Sequence, residues 1–81
     1  MLFIVNPISG TLSKKLIIAT LKKRGFKVVS TEYAGHAEQI ARDASERIIV
    51  AVGGDGTVNE VARGILGTDK VLGIIPCGSG D

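Results

Sequence analysis

The stretch Val50–Val61, VAVGGDGTVNEV, sets an acid among glycines where an apolar run gives way to an amphipathic one. Gly53, Gly54 and Gly56 carry no side chain and admit positive φ, so successive backbone N–H groups can converge on an anion. A helix starting near Thr57 adds the positive end of its dipole at the same point. Thr57, Val58, Asn59 and Glu60 also fit a capping box, in which Glu60 reaches back to the cap N–H. Phosphate is the natural guest of such a turn, and Asp55 is then out of place. Two unit charges about 4 Å apart interact by about 4 kcal/mol at an effective dielectric near 20, and a triphosphate carries several. Three roles reconcile the carboxylate with phosphate. A Mg²⁺ between them turns repulsion into bridging. The carboxylate can instead face an acceptor hydroxyl and take or orient its proton. Or Asp55 hydrogen-bonds its own turn. The first two roles belong to a kinase.

Two more loops carry polar residues after apolar runs. In NPISG, Asn6–Gly10, Pro7 fixes one backbone angle and biases Asn6 toward an extended conformation. Ser9 suits a helix cap, and Gly10 lets the backbone approach a ligand. A capped strand-to-helix turn accounts for the same five residues, Ile8 included. In PCGSGD, Pro76–Asp81, the proline stops a strand, Gly78 and Gly80 bare the backbone, and Ser79 offers a hydroxyl. Asp81 fits a ligand, cap or turn role alike. Cys77 reads as a packing residue, since no activating base pairs with it in the sequence. His36 reads as a capping or solvent residue at a helix start. Thr31, at the carboxyl end of an apolar run, is within reach of a ligand over a sheet edge.

Familiar glycine signatures fail on spacing. A P-loop needs Gly-Lys-Ser/Thr after its glycines, and no lysine follows here. A dinucleotide fingerprint counted from Gly54 through Gly56 requires glycine where Asn59 stands, and normally follows the first strand rather than the third.

The elements that must position these loops are plain. Continuous apolar runs at Leu2–Val5, Phe26–Ser30, Ile48–Val52 and Val71–Ile75 suit parallel strands covered on both faces. Between them lie three helical stripes. The first is Leu12, Leu16, Ile17, Thr20 and Leu21, closed by Gly25. The second is Ala37, Ile40, Ala41 and Ala44, and the third is Val58, Val61, Ala62, Ile65 and Leu66. The order β-α-β-α-β-α-β predicts an α/β fold with an open parallel sheet, whose ligands bind beyond the carboxyl ends of the strands.

Composition sets the outer bounds. Eighty-one residues, 44% hydrophobic and 22% charged, make at most one small soluble domain of marginal stability. A net charge of +2 is too small to argue for nucleic acid or a membrane. Lys14, Lys15, Lys22, Lys23, Arg24 and Lys27 all precede the first acid, Glu32. They read as a solvated helix face, or as a weak lean toward anionic lipid. A single cysteine and no long apolar run predict a cytoplasmic setting. The chain stops inside a Gly-rich turn, which suggests the front portion of a longer polypeptide.

NPISG, GGDGTVNEV and PCGSGD, in that order and spacing, resemble the catalytic domain of the diacylglycerol kinase family, which includes bacterial lipid kinases and sphingosine kinases. The family is related more distantly to NAD kinases and phosphofructokinases. The resemblance covers the whole chain. It implies an α/β nucleotide-binding domain followed by a β-sandwich domain absent from this chain, with ATP in the cleft between them. By that analogy the ATP contacts are Asn6, Pro7, Ile8, Ser9, Gly10, Thr31, Gly53, Gly54, Asp55, Gly56, Thr57, Val58, Asn59 and Ser79. Thr31 followed four residues later by Gly35 is part of the same pattern. In lipid kinases of this type the general base is a glutamate of the second domain, and structural Mg²⁺ ligands lie there too. In sphingosine and NAD kinases the aspartate matching Asp55 is assigned to the acceptor hydroxyl. Many members carry GT, a small residue and ND where this chain has Gly78-Ser79-Gly80-Asp81. The resemblance implies an ATP-dependent lipid kinase using Mg²⁺, acting on a lipid hydroxyl at the inner membrane surface, with no nucleic-acid partner. A kinase for a soluble acceptor and a non-catalytic nucleotide-binding module are the alternatives.

Overall fold

The computed structural model describes residues 1–7 and 12–77. The elements run β1 (Leu2–Val5), α1 (Leu12–Lys23), β2 (Lys27–Ser30), α2 (His36–Asp43), β3 (Ile48–Gly53), α3 (Asp55–Ile65) and β4 (Val71–Pro76). Strand and helix alternate as the apolar runs predict. The described strands form a parallel sheet in the order β2-β1-β3-β4. From β1 the chain steps one way to β2, then crosses back past β1 to β3 and on to β4. Because crossovers keep one hand, this reversal puts α1 on one face of the sheet and α2 and α3 on the other. It also opens a crevice between the carboxyl ends of β1 and β3.

Alternate residues of the same strands feed the two cores. Leu2, Ile4, Ile49 and Ala51 pack with Ala37, Ala41, Val61 and Ile65 under α2 and α3. Phe3, Val5, Val50 and Val52 pack with Cys77 and the partly buried Ile17, Ile18 and Leu21 of α1. The central strands β1 and β3 are therefore buried on both sides, as expected. β2 and β4 are only half-covered, because the sheet order puts them at the edges of the described sheet, and Val71 and Ile74 are exposed.

α1 departs from its expected stripe. Ile17 and Leu21 meet the sheet, joined by Ile18, while Leu12 and Leu16 are exposed. Lys14, expected in a solvated run, is 3% exposed. Its ammonium donates to the Asn6 carbonyl at 2.8 Å, so the long aliphatic stem lies in the layer and the charge meets the end of β1. The remaining lysines of α1 stay in solvent. Gly25 closes the helix at φ 84°, and the Phe26 N–H donates to the Leu21 carbonyl at 3.0 Å. That six-to-one bond is the expected glycine stop.

α2 and α3 approach closely at Gly64. A Cβ there would overlap the Glu38 carbonyl and lie 2.8 Å from Ala41 Cβ. Above this contact Glu38 accepts from Arg42 at 2.9 Å and from Arg63 at 3.1 Å, tying the two helices together. Leu66, expected on the apolar stripe of α3, falls past the helix end and is 83% exposed.

Candidate functional site

The crevice at the strand ends holds a cavity of about 430 Å³, within the range of small-molecule sites. β1 contributes the loop residues Asn6 and Pro7, and the segment after β2 contributes Thr31, Glu32, Tyr33 and Ala34. Ala37 of α2 and Thr57 and Glu60 of α3 complete the lining. Thr31 is fixed by its N–H, which donates to the Val5 carbonyl at 2.8 Å and carries the β1–β2 ladder one residue past the strand. Thr57 is buried and leans on the end of β3. A Cβ on Gly53 would come 2.9 Å from Thr57 Oγ1 and 3.2 Å from its Cβ, so this glycine is where strand and helix touch.

Helix α3 starts two residues earlier than expected. The Val58 N–H donates to the Gly54 carbonyl at 3.1 Å, which makes Gly54 the cap and Asp55 the first helical residue. Thr57 therefore lies inside the first turn, and the expected Thr57–Glu60 capping box does not form. Its side chains instead face the cavity, one turn apart on the same stripe of the helix. Of the three glycines that admit positive φ, Gly53 adopts it, at φ 157°. Gly54 is extended and Gly56 is helical.

This start has a chemical consequence. The N–H groups of Asp55, Gly56 and Thr57 precede the first i→i−4 bond, so the helix ladder gives them no acceptor. The cap offers no side-chain oxygen to them either. Gly54, Asp55 and Gly56 are all exposed, which leaves this main chain open at the carboxyl edge of β3. Asp55 makes no side-chain hydrogen bond among the described residues, so a role in bracing its own turn finds no support.

Among the expected contacts, Asn6, Pro7, Thr31 and Thr57 line the cavity. Gly53, Gly54, Asp55, Gly56, Val58 and Asn59 belong to the adjoining β3–α3 junction and do not line it. Ile8, Ser9, Gly10, Ser79 and Asp81 lie outside the described residues. Glu32, Tyr33, Ala34 and Ala37 were missed. The first three directly follow Thr31 beyond the end of β2, which was signal enough to include them. Glu60 was weighed only as a cap, yet it stands three residues beyond Thr57 on one helical face.

Carboxylates flank the cavity at Glu32 and Glu60, and open N–H groups lie beside it at the start of α3. The first kind accepts hydrogen bonds from hydroxyl and amino groups, the second from nothing but donates to anions. Among the described residues no cluster of three or more His, Cys, Asp or Glu is placed to hold a metal ion.

The sequence pattern of the diacylglycerol kinase catalytic domain matches residues 1–81. The chain belongs to that family. It is 39% identical over 87 residues to the diacylglycerol kinase of Bacillus subtilis (strain 168), covering 94% of this chain and 29% of that protein. It is 36% identical over 97 residues to sphingoid long-chain bases kinase 1 of Arabidopsis thaliana, covering 98% of this chain and 13% of that one. The crystal structure of a diacylglycerol kinase from Bacillus anthracis str. Sterne superposes with a TM-score of 0.74 at 33% identity, covering 96% of this chain and 32% of that one. The chain thus spans less than a third of the length of each of these relatives. The α/β fold and the open parallel sheet are those of this family's solved members. No helix among the described residues is long and apolar enough to cross a membrane.

Proposed function

We propose that the chain carries the nucleotide-binding part of an ATP-dependent lipid kinase, which moves the γ-phosphoryl group of ATP to a lipid hydroxyl. The observation that carries this reading is the pairing at one sheet edge of a 430 Å³ cleft with the open N–H groups that begin α3. A nucleotide has the same two-part chemistry. Its sugar hydroxyls and base amine suit Glu32 and Glu60, and its phosphates suit the backbone donors of Gly54–Thr57, where the helix dipole adds attraction. Thr57 stands between the two halves.

Asp55 is the one group that opposes this arrangement unless it has its own task. It is exposed, in the first turn of α3, and its side chain is not spent on a local hydrogen bond. Mg²⁺ is commonly held by one or two carboxylates plus substrate phosphates, so a lone Asp55 beside phosphate fits that ion. Bound there, Mg²⁺ supplies neutralisation of phosphate charge. Asp55 equally suits the acceptor hydroxyl, whose proton it would receive as the phosphoryl group arrives. In either role the chain positions reactants and stabilises charge rather than forming a covalent intermediate. The acceptor site falls to a second, β-sandwich domain in this proposal.

Radiolabelled ATP, supplied to the full-length protein with mixed micelles of diacylglycerol or sphingosine and separately with NAD, tests the reading. Label is expected in the lipid phase. Transfer to NAD alone, or to neither acceptor, overturns it. Asp55→Ala is expected to lower turnover by roughly 10²–10⁴-fold, the usual contribution of a positioned acid or base, and unchanged turnover removes Asp55 from the mechanism.

A further inference from the structure

The segment between β2 and α2 holds an exposed aromatic side chain in one orientation. Tyr33 is 57% exposed, yet its ring lies over the His36 imidazole with centroids 4.3 Å apart and planes 13° from parallel. The imidazole is itself anchored. Its Nδ1 accepts from the Glu32 N–H at 2.9 Å, and the His36 N–H donates to the Tyr33 carbonyl at 3.1 Å. With Nδ1 accepting, the proton of the neutral ring sits on Nε2. At the far end the phenol hydroxyl reaches Gln39 Oε1 at 3.4 Å. The tyrosine ring is therefore held between His36, on which one face is stacked, and Gln39 at its hydroxyl, and the residue borders the cleft.

An exposed tyrosine with no task samples several rotamers. This one is backed by a second ring and held at its backbone, as a stacking platform is. Aromatic faces take up planar heterocycles by stacking, independent of hydrogen-bond readout. We propose that Tyr33, braced by His36, is the surface on which the purine ring of the nucleotide stacks, and so a specificity-determining residue of the cleft. This rests on the nucleotide reading above. It assigns the Tyr33 end of the cavity to the base and the first turn of α3 to the phosphates. His36 acts as a positioning residue, through the ring it supports.

Calorimetric titration of the full-length protein with ATP and with inorganic tripolyphosphate separates the two claims. Tyr33→Ala is expected to weaken ATP by about five- to tenfold, the lower part of the range for loss of a base–aromatic stack, and to leave tripolyphosphate unchanged. Tyr33→Phe should keep the wild-type affinity for ATP, since the ring alone does the work. Tyr33 is exposed, so the urea midpoint of each variant should match the parent. If the wild type takes up ATP and Tyr33→Ala takes it up equally well, the stacking role is overturned and the nucleotide reading stands. Equal weakening of ATP and tripolyphosphate also overturns it, because the tyrosine then only shapes the loop. If the wild type takes up no ATP, the nucleotide reading falls and the stacking role with it.

Discussion

The two faces of the sheet are fed by alternate residues of the same strands, yet they are built to different standards. On one, α2 and α3 close to backbone contact at Gly64, and Glu38 fastens them from above. On the other, α1 is the one helix over the strands among the described residues, with Leu12 and Leu16 exposed. The closer-packed face gives the cleft its helix-borne side chains, while the segments after β1 and β2 supply the rest of the lining. Ala37 comes from α2, Thr57 and Glu60 come from α3, and the braced Tyr33 lies over the start of α2. Sites on packed helices hold their geometry better than sites on loops. The α1 face reaches the same edge through the Lys14 bond to Asn6. One face supplies the shape of the site, and the other supplies a charge behind it.

Gly64→Val should break this contrast most severely. The new side chain has no room against the Glu38 carbonyl and Ala41, so α2 and α3 must part. Overpacking of this kind costs about 3 kcal/mol, read as a fall in the urea midpoint. ATP affinity should fall in parallel, because the gap between the helices sets the spacing of Ala37, Thr57 and Glu60. A valine accommodated without loss would show that the close approach is incidental.

Lys14→Met comes next and probes the other face. Methionine keeps much of the aliphatic bulk but removes the donor to the Asn6 carbonyl. Loss of a hydrogen bond from a charged group costs about 2 kcal/mol. ATP affinity should drop as well if the lysine fixes the β1 exit loop, while the α2–α3 packing stays intact. Leu16→Ala, on the outer side of the same helix, should change stability by no more than about 0.5 kcal/mol, as exposed positions do. A large loss at Leu16 would mean that the α1 face is covered in the intact protein, and the comparison of faces would fail.

How much of this was legible in the sequence follows the same division. β1 and β3 announced themselves as continuous apolar runs because both of their faces are buried. The stripe Ala37, Ile40, Ala41 and Ala44 was readable because α2 packs along its whole apolar side. α1 was read less well, since an apolar stripe does not say which of its edges a single covering helix will bury. Lys14 was hidden for a related reason, because composition treats lysine as a surface charge and ignores its stem. The sheet order was not written locally, as it depends on which strands pair across long separations. At the site, GGDGT was recognisable, but two consecutive glycines let the helix begin at once, and the capping box inferred from Thr57 and Glu60 dissolved. Tyr33 was within reach as a neighbour of Thr31, but its stacking on His36 exists only once α2 folds back and places the imidazole beneath it.

The smallest expected effect concerns the clasp on the closer-packed face. The Arg63 guanidinium, with Arg42 beside it, holds the Glu38 carboxyl below its ordinary value of 4.5, against the opposing pull of partial burial. A carboxyl whose value is depressed by folding stabilises the native state while it is ionised. That contribution is complete above the unfolded-state value near 4.5 and disappears as pH falls through the lower folded-state value. Glu38→Gln removes the charge at every pH. Its urea midpoint should therefore lie slightly below the parent's at pH 7 and converge with it as pH falls well below 4.5. The gap should also shrink in high salt, because the pairs are solvent-screened. A gap that persists unchanged to low pH would assign the role of Glu38 to shape rather than charge. Gly64 alone would then account for the closeness of the two helices.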